Sequence, residues 1–183
     1  LVKAFERVPH DVLLREAMRH SFSMWLLRLS LVTYRMARVI RIDGVASRLV
    51  YATRGITAGS ALATTELRAL MINIVDSAHV LYPCVTPTLY VDDLSMEASG
   101  GSRHIMANLV PFVHHVCRRM ADDRLEVSKT KSICTASSHE LGLQMAAALV
   151  GRGIMYARLV KSLGVGLGAG ARRNMQVVKN RLK

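Results

Sequence analysis

The sequence is poor in cysteine, in acid and in uninterrupted apolar runs, and each shortage excludes something. Only three cysteines occur, Cys84, Cys117 and Cys134. Their number is odd and their spacings unrelated, so no disulfide framework follows and a reducing compartment is expected. All three read as small core residues. The longest apolar candidate, Ala61 to Leu81, is broken by Glu66, Arg68, Asn73 and Asp76. A lipid-facing helix would bury those at several kcal/mol, so no membrane span is expected. The opening Leu1-Val2-Lys3-Ala4-Phe5-Glu6 lacks the apolar core of a signal peptide, and without an initial Met the chain reads as a piece of a longer polypeptide.

Acid is scarce in a patterned way. Against 25 Lys+Arg there are 13 Asp+Glu, a net charge of +12 in 183 residues. Eight of the basic residues and none of the acidic ones lie after position 140. Such a surface concentrates polyanions and can neutralise backbone phosphates. Hydrophobic residues make up 51% of the chain, enough for one buried core.

Periodicity and turn residues predict the elements. A helix can start near Pro9, where a missing N–H is harmless, and helical or irregular chain continues to about Arg38. Val39 to Ile42 and Ser47 to Tyr51 flank Asp43-Gly44 as a hairpin. Arg54 to Ser60 is a glycine-punctuated loop, and Ala61 to about His79 a buried helix. Thr88 to Val91 and Leu94 to Met96 form a second hairpin around Asp92-Asp93. Ile105, Leu109, Phe112, Val116 and Met120 share one face of a helix that Pro111 should kink. A strand at 131–136, a helix at 139–150 containing the core residue Met145, and a strand pair at 155–160 and 163–165 follow. Gly166 to Gly170 reads as flexible. Strands interspersed with helices, without regular alternation, give an α+β fold with a mainly antiparallel sheet and helices on one face.

Two adjacent carboxylates at a hairpin tip repel and raise one another's pKa, and a divalent cation removes that cost. Magnesium takes one or two carboxylates with water and phosphate oxygens, and a pair of such ions can serve phosphoryl transfer. Asp122-Asp123, at a helix end, is read as an ordinary solvated turn. His114, His115 and Cys117 lack further spaced ligands and are not read as a metal site.

The frame Leu89-Tyr90-Val91-Asp92-Asp93-Leu94 resembles the catalytic box of reverse transcriptases, closest in pattern to those of non-LTR retrotransposons. Four other segments resemble that family's motifs in order. Leu1 to His10 is similar to the first palm motif, which would place the first catalytic aspartate just before Leu1. Arg54 to Ala61 is similar to the second motif, with Ala58 where Gln and Ala61 where Pro are usual. Leu125 to Lys131 is similar to the lysine motif, and Lys161 to Val165 to the primer grip. The resemblance implies a polymerase palm over residues 1–165, with 166–183 a basic connector toward a thumb and with complete fingers and thumb lying elsewhere. It further implies RNA-directed DNA polymerisation, in which a primer 3′-hydroxyl attacks a dNTP. The expected partners are an RNA template and a DNA primer, and the expected cofactor is two Mg2+ ions, for which Mn2+ can substitute.

Carried over residue by residue, Asp92 and the aspartate expected just before Leu1 are the main metal ligands with Asp93 assisting, Lys129, with Lys131 as rival, is the general acid toward pyrophosphate, and residues 1–183 alone are expected to be inactive. Lys3, Ala4, Phe5, Gly59 and Tyr90 line the nucleotide site, Phe5 acting as a gate against ribonucleotides or else as a core ring. Leu163 and Gly164 grip the primer. Localisation is nuclear or cytoplasmic by class. Ala58 and Ala61 keep open a palm that binds nucleic acid without catalysis, and a viral RNA-dependent RNA polymerase is a third reading.

Overall fold

The computed structural model describes residues 1–57, 59–162 and 165–168, with 161, 162 and 165–168 described as backbone only. Leu163 and Gly164, Ala58, and the tail from 169 lie outside the described residues. Lys3, in the left-handed conformation at φ 47°, opens the short helix α1 (Ala4–Arg7), and extended Val8-Pro9 separates it from α2 (His10–Arg19). Pro9 is the residue just before α2, so its missing N–H is lost outside the helical ladder. Helix α3 (Met24–Arg35) buries Leu27, Leu31 and Tyr34 on one stripe and leaves Trp25, Leu29 and Val32 exposed on the other. A small hairpin follows, β1 (Arg41–Ile42) and β2 (Val45–Ala46), turning on Asp43-Gly44 with both φ angles positive. Its strands are shorter than expected, and only single contacts continue the ladder outward to Arg38 and Val50.

Helix α4 (Ala63–Leu81) is the axis of the core. Its Leu67, Leu70, Met71, Ile74 and Ala78 are essentially inaccessible to solvent, and recur at the 3–4-residue spacing that keeps one helical face toward the interior. It packs against α2, against α5 (Ser102–Asp122) and against β3 (Val85–Tyr90), the first strand of the hairpin completed by β4 (Asp93–Ala98). All five periodic residues of α5 named from the sequence are buried. Phe112 meets Tyr82 edge-on at 6.4 Å between ring centroids, adding about 1 kcal/mol to the roughly 3 kcal/mol of its burial. Helix α5 runs through Pro111 as one element.

Beyond it, β5 (Ile133–Cys134), α6 (His139–Leu149) and β6 (Met155–Tyr156) form a crossover unit, and β7 (Leu159–Ser162) pairs with β8 (Val165–Gly168). Ser138 caps α6 by accepting from the Leu141 backbone N–H at 3.2 Å.

The α+β class is therefore observed, but the expected single sheet is not. The described strands form four separate two-stranded ladders, three antiparallel and one parallel. Helix α6 is the reason for the parallel one, because a crossover helix returns the chain to run in the same direction. Three further expectations are corrected. Gly166 to Gly168 belong to β8 and are not loop. Cys84 is exposed, sitting in the tight connection between α4 and β3, while Cys117 and Cys134 are buried. Asp123 is not solvated: it is 4% exposed and paired with Arg15. No helix among the described residues is long and apolar enough to cross a membrane.

Gly142 in α6 supports the ring of Tyr156 so closely that a Cβ there would lie 2.1 Å from Cε2. Gly142→Ala should therefore lower stability by about 1–3 kcal/mol despite its better helix propensity, read as a lower urea midpoint.

Candidate functional site

The acidic hairpin forms as the flanking runs require. Leu89 and Leu94 face one another across the ladder, Tyr90 pairs with Asp93, and Val91-Asp92 is the two-residue loop. The tip is thus one residue earlier than expected, and Asp93 is the first residue of β4. Of the two loop residues only Val91 has a positive φ, 56°, the pattern of a type II′ turn. That turn matches the strand twist but usually takes glycine at this place. A β-branched side chain there is strained by about 1–2 kcal/mol. Packing opposes the strain: Leu89, Val91 and Leu94 are part-buried against the main core.

Asp92 is half-buried and Asp93 exposed. Neither forms an ion pair with a described residue, and no third His, Cys, Asp or Glu joins them in a metal-sized cluster among the described residues. Two adjacent hard-oxygen donors with no protein cation between them fit magnesium, which leaves its other positions to water and phosphate.

The first and second motif-like segments meet directly. The Gly55 N–H donates to Val8 O at 2.7 Å and the Ile56 N–H to Phe5 O at 2.6 Å. Gly55, at φ 96°, is where backbone passes backbone, since a Cβ would lie 2.8 Å from Glu6 O. Buried His10 reinforces the seam. Arg35 Nε donates to its Nδ1 at 3.2 Å, which places the imidazole proton on Nε2, 2.8 Å from Gly55 O.

The other end of the glycine loop is held by Tyr34. Its hydroxyl donates to Glu66 Oε2 at 2.7 Å and lies 3.0 Å from Ser60 Oγ. Burial, with the Glu66 carboxylate as acceptor, pushes the Tyr34 hydroxyl above the usual tyrosine range, so it stays a donor. Glu66 is 1% exposed and its second oxygen has no partner among the described residues.

The predicted site residues distribute unevenly. Ala4 is buried, and Phe5 is half-buried and packed on the core, while Lys3 is exposed and paired with Glu6 at 3.1 Å. Gly59 is exposed with φ 87° and open space where a Cβ would stand. Tyr90 is 61% exposed beside a cleft between α4 and β3. Lys129 is exposed, its stem lying against Gly153, the left-handed residue after the 3-10 turn Val150–Arg152. The primer-grip pair Leu163 and Gly164 lies outside the described residues. Sequence reasoning missed His10, Tyr34 and Glu66. Glu66 had a readable signal, because it falls in step with Leu70, Ile74 and Ala78 on the buried face of α4.

Ion pairs Arg7–Glu126, Arg124–Asp11 and Arg15–Asp123 tie the N-terminal segment to the start of the lysine motif and the two residues before it, beside a backbone bond from Val2 N–H to Glu126 O at 2.9 Å. Comparison of the chain with protein-family models, with curated proteins and with solved structures finds no match in any of the three.

Two outcomes are expected. Gly55→Ala should destabilise by more than about 2 kcal/mol, since it meets both a positive φ and a backbone atom, whereas Gly59→Ala should lose only about 1 kcal/mol. Chemical denaturation of the two variants measures the difference. The Arg124 guanidinium holds the Asp11 carboxyl below its ordinary value of 3.8. The stability this pair contributes is fully present above that value and is lost as pH falls through the lower folded one. Asp11→Asn should flatten the acid limb of a stability–pH profile by lowering the neutral plateau, only slightly because the pair is exposed, so that the variant and parent profiles converge at low pH.

Proposed function

We propose that this chain is the catalytic palm of an RNA-directed DNA polymerase, extending a DNA primer with dNTPs on an RNA template. The observation that supports the reading most is the strained, core-packed turn at Val91-Asp92. It presents two carboxylates, with no cationic partner among the described residues, at the end of a stiff hairpin. The direct seam between Phe5 to His10 and Gly55-Ile56 adds to it, because a nucleotide site assembled from those two segments needs them in register.

In this reading Asp92, with Asp93 assisting, would contribute ligands to two magnesium ions, which would supply charge neutralisation during phosphoryl transfer. The hairpin's part is to fix the carboxylate positions before substrate arrives, so that little reorganisation accompanies the reaction. Phe5 presents its half-buried ring at the sugar, excluding a 2′-hydroxyl by contact. Lys3 and the backbone around Gly59 line the nucleotide, and Lys129 donates a proton to the departing pyrophosphate. Ala61, at a position where the resembled motif carries proline, favours a second reading, a palm that binds nucleic acid without turnover.

Primer extension on an RNA template by the full polypeptide containing residues 1–183 separates the two. Extension with dNTPs in preference to NTPs, falling about a thousandfold or more in Asp92→Asn at an unchanged melting midpoint, is the expected result. Undiminished extension by Asp92→Asn would sink the assignment of the carboxylates, and absence of extension in the parent would favour the binding remnant.

A further inference from the structure

Helix α3 carries a second apolar stripe, directly across from the one it buries. Leu27, Leu31 and Tyr34 face the core, whereas Trp25, Leu29, Val32 and Met36 are 78, 67, 67 and 59% exposed. With about 3.6 residues per turn, the centres of the two stripes lie about 180° apart. A surface helix ordinarily turns polar groups to that side, and a helix apolar on both sides is one that is covered on both. Within the described residues the outer stripe is uncovered.

Its residues recur at intervals of 4, 3 and 4, the a/d repeat of a narrow coiled-coil seam. In that register Arg28 and Arg35 both take the g position beside the seam. Both are exposed, and neither forms an ion pair with a described residue. Arg28 holds its guanidinium 5.9 Å from the centroid of the Trp25 ring, and Arg35 commits only its Nε, to His10. The surrounding chain has the same sign, with five arginines and no acid between Glu16 and Asp43. The face therefore asks for an anionic occupant. A second copy of the chain brings no counter-charge: antiparallel pairing of two α3 stripes opposes arginine to arginine, and parallel pairing sets Arg28 opposite Thr33. The segment after position 140, with eight basic residues and no acid, is repelled. A bilayer takes apolar and cationic groups together but needs a broad apolar face, which the arginines on one flank and Thr33 on the other interrupt. A helix with its own a/d seam fits the width.

We propose that the outer face of α3 docks a helix of a partner protein, apolar at its own a and d positions and carrying Glu or Asp beside them. Trp25 and Arg28 are its anchors, being of the residue types that dominate binding at interface centres. The seam spans only three turns of helix, so the contact belongs to the small, transient class of interfaces. This surface lies outside the polymerase reading and does not rest on it.

The probe is a synthetic peptide of about three heptads with Leu at a and d and Glu at e and g, compared with a counterpart carrying Lys at e and g. Like charges on both flanks keep each peptide from pairing with itself. Trp25 is the only tryptophan, so its emission reports docking directly. Titrating residues 1–183 with the Glu peptide should give a saturable blue shift, and the Lys peptide should bind at least about tenfold more weakly. Anisotropy of labelled peptide then compares variants. Leu29→Ser combined with Val32→Ser should weaken the Glu peptide about thirtyfold, at an unchanged urea midpoint because both side chains are exposed. Arg28→Glu should weaken the Glu peptide about fivefold and strengthen the Lys peptide, a reversal that loss of fold does not produce. Equal binding of the two peptides, no shift with either, or unchanged affinities in Arg28→Glu overturns the proposal. A shift with vesicles of about 30% phosphatidylserine in phosphatidylcholine, but none with the Glu peptide, overturns it in favour of a membrane. A dimer at sedimentation equilibrium that buries Trp25 overturns it in favour of a second copy.

Discussion

The carboxylate of Glu16 is completely buried, and the arrangement of the helices depends on how that charge is satisfied. Arg15 Nε reaches it at 2.9 Å and Arg19 Nη1 at 3.1 Å, and Arg15 also pairs with buried Asp123 at the end of α5. The amide of Asn73, with its oxygen assigned toward the guanidiniums, accepts from Arg19 at 2.7 Å and from Arg119 of α5 at 3.1 Å. One carboxylate thus connects α2, α4 and α5 through groups that must all be in place for any to be satisfied. The two arginines are about half exposed, so their stems cover the buried acid while their heads keep part of their hydration. That division reduces the desolvation penalty that makes a fully enclosed ion pair a poor source of stability. Its value lies in specifying which helix faces meet.

From that frame the two functional segments inherit their positions by different means. The N-terminal segment is carried by α2 and joined to the glycine loop through backbone hydrogen bonds and His10. The acidic hairpin is carried by α4 and α5 mainly through apolar contact, with one polar tie far from its tip, where His79 Nδ1 of α4 lies 3.0 Å from Val85 O. One attachment is mainly polar and directional and the other mainly apolar, which suits their tasks. A loop that must shape itself around a ligand needs its backbone groups fixed individually, whereas a hairpin that must only stand firm needs a well-filled underside. The strain at Val91 can persist because the packing around it is worth more than the backbone penalty.

Much of this was legible in the sequence where a period or a turn residue carried it. The five apolar residues of α5 announced a buried face, and Asp43-Gly44 announced a hairpin. Legibility failed wherever a distant partner changed what a residue was doing. Asp123 looked like a surface acid because Arg15 is 108 positions away. The glycines of β8 read as loop because strand propensity is a weak property of a residue without its ladder. The tip of the acidic hairpin was misplaced by one residue, since valine is a poor candidate for positive φ on local grounds and only the core explains it. The seam at Gly55 was invisible for a deeper reason: backbone-to-backbone contact leaves no side-chain signature beyond the glycine itself.

That last feature bears on how such a protein can diverge. A junction written in main-chain atoms is insensitive to most of the amino acids that flank it, so sequence on either side is free to wander while the geometry persists. Alanines can replace a glutamine or a proline nearby without unfastening anything. The same insensitivity stops at one codon, because Gly55 admits no side chain at all. Recombination between distant relatives should therefore tolerate crossovers between residues 5 and 56, provided that the parent supplying the second segment carries glycine at position 55.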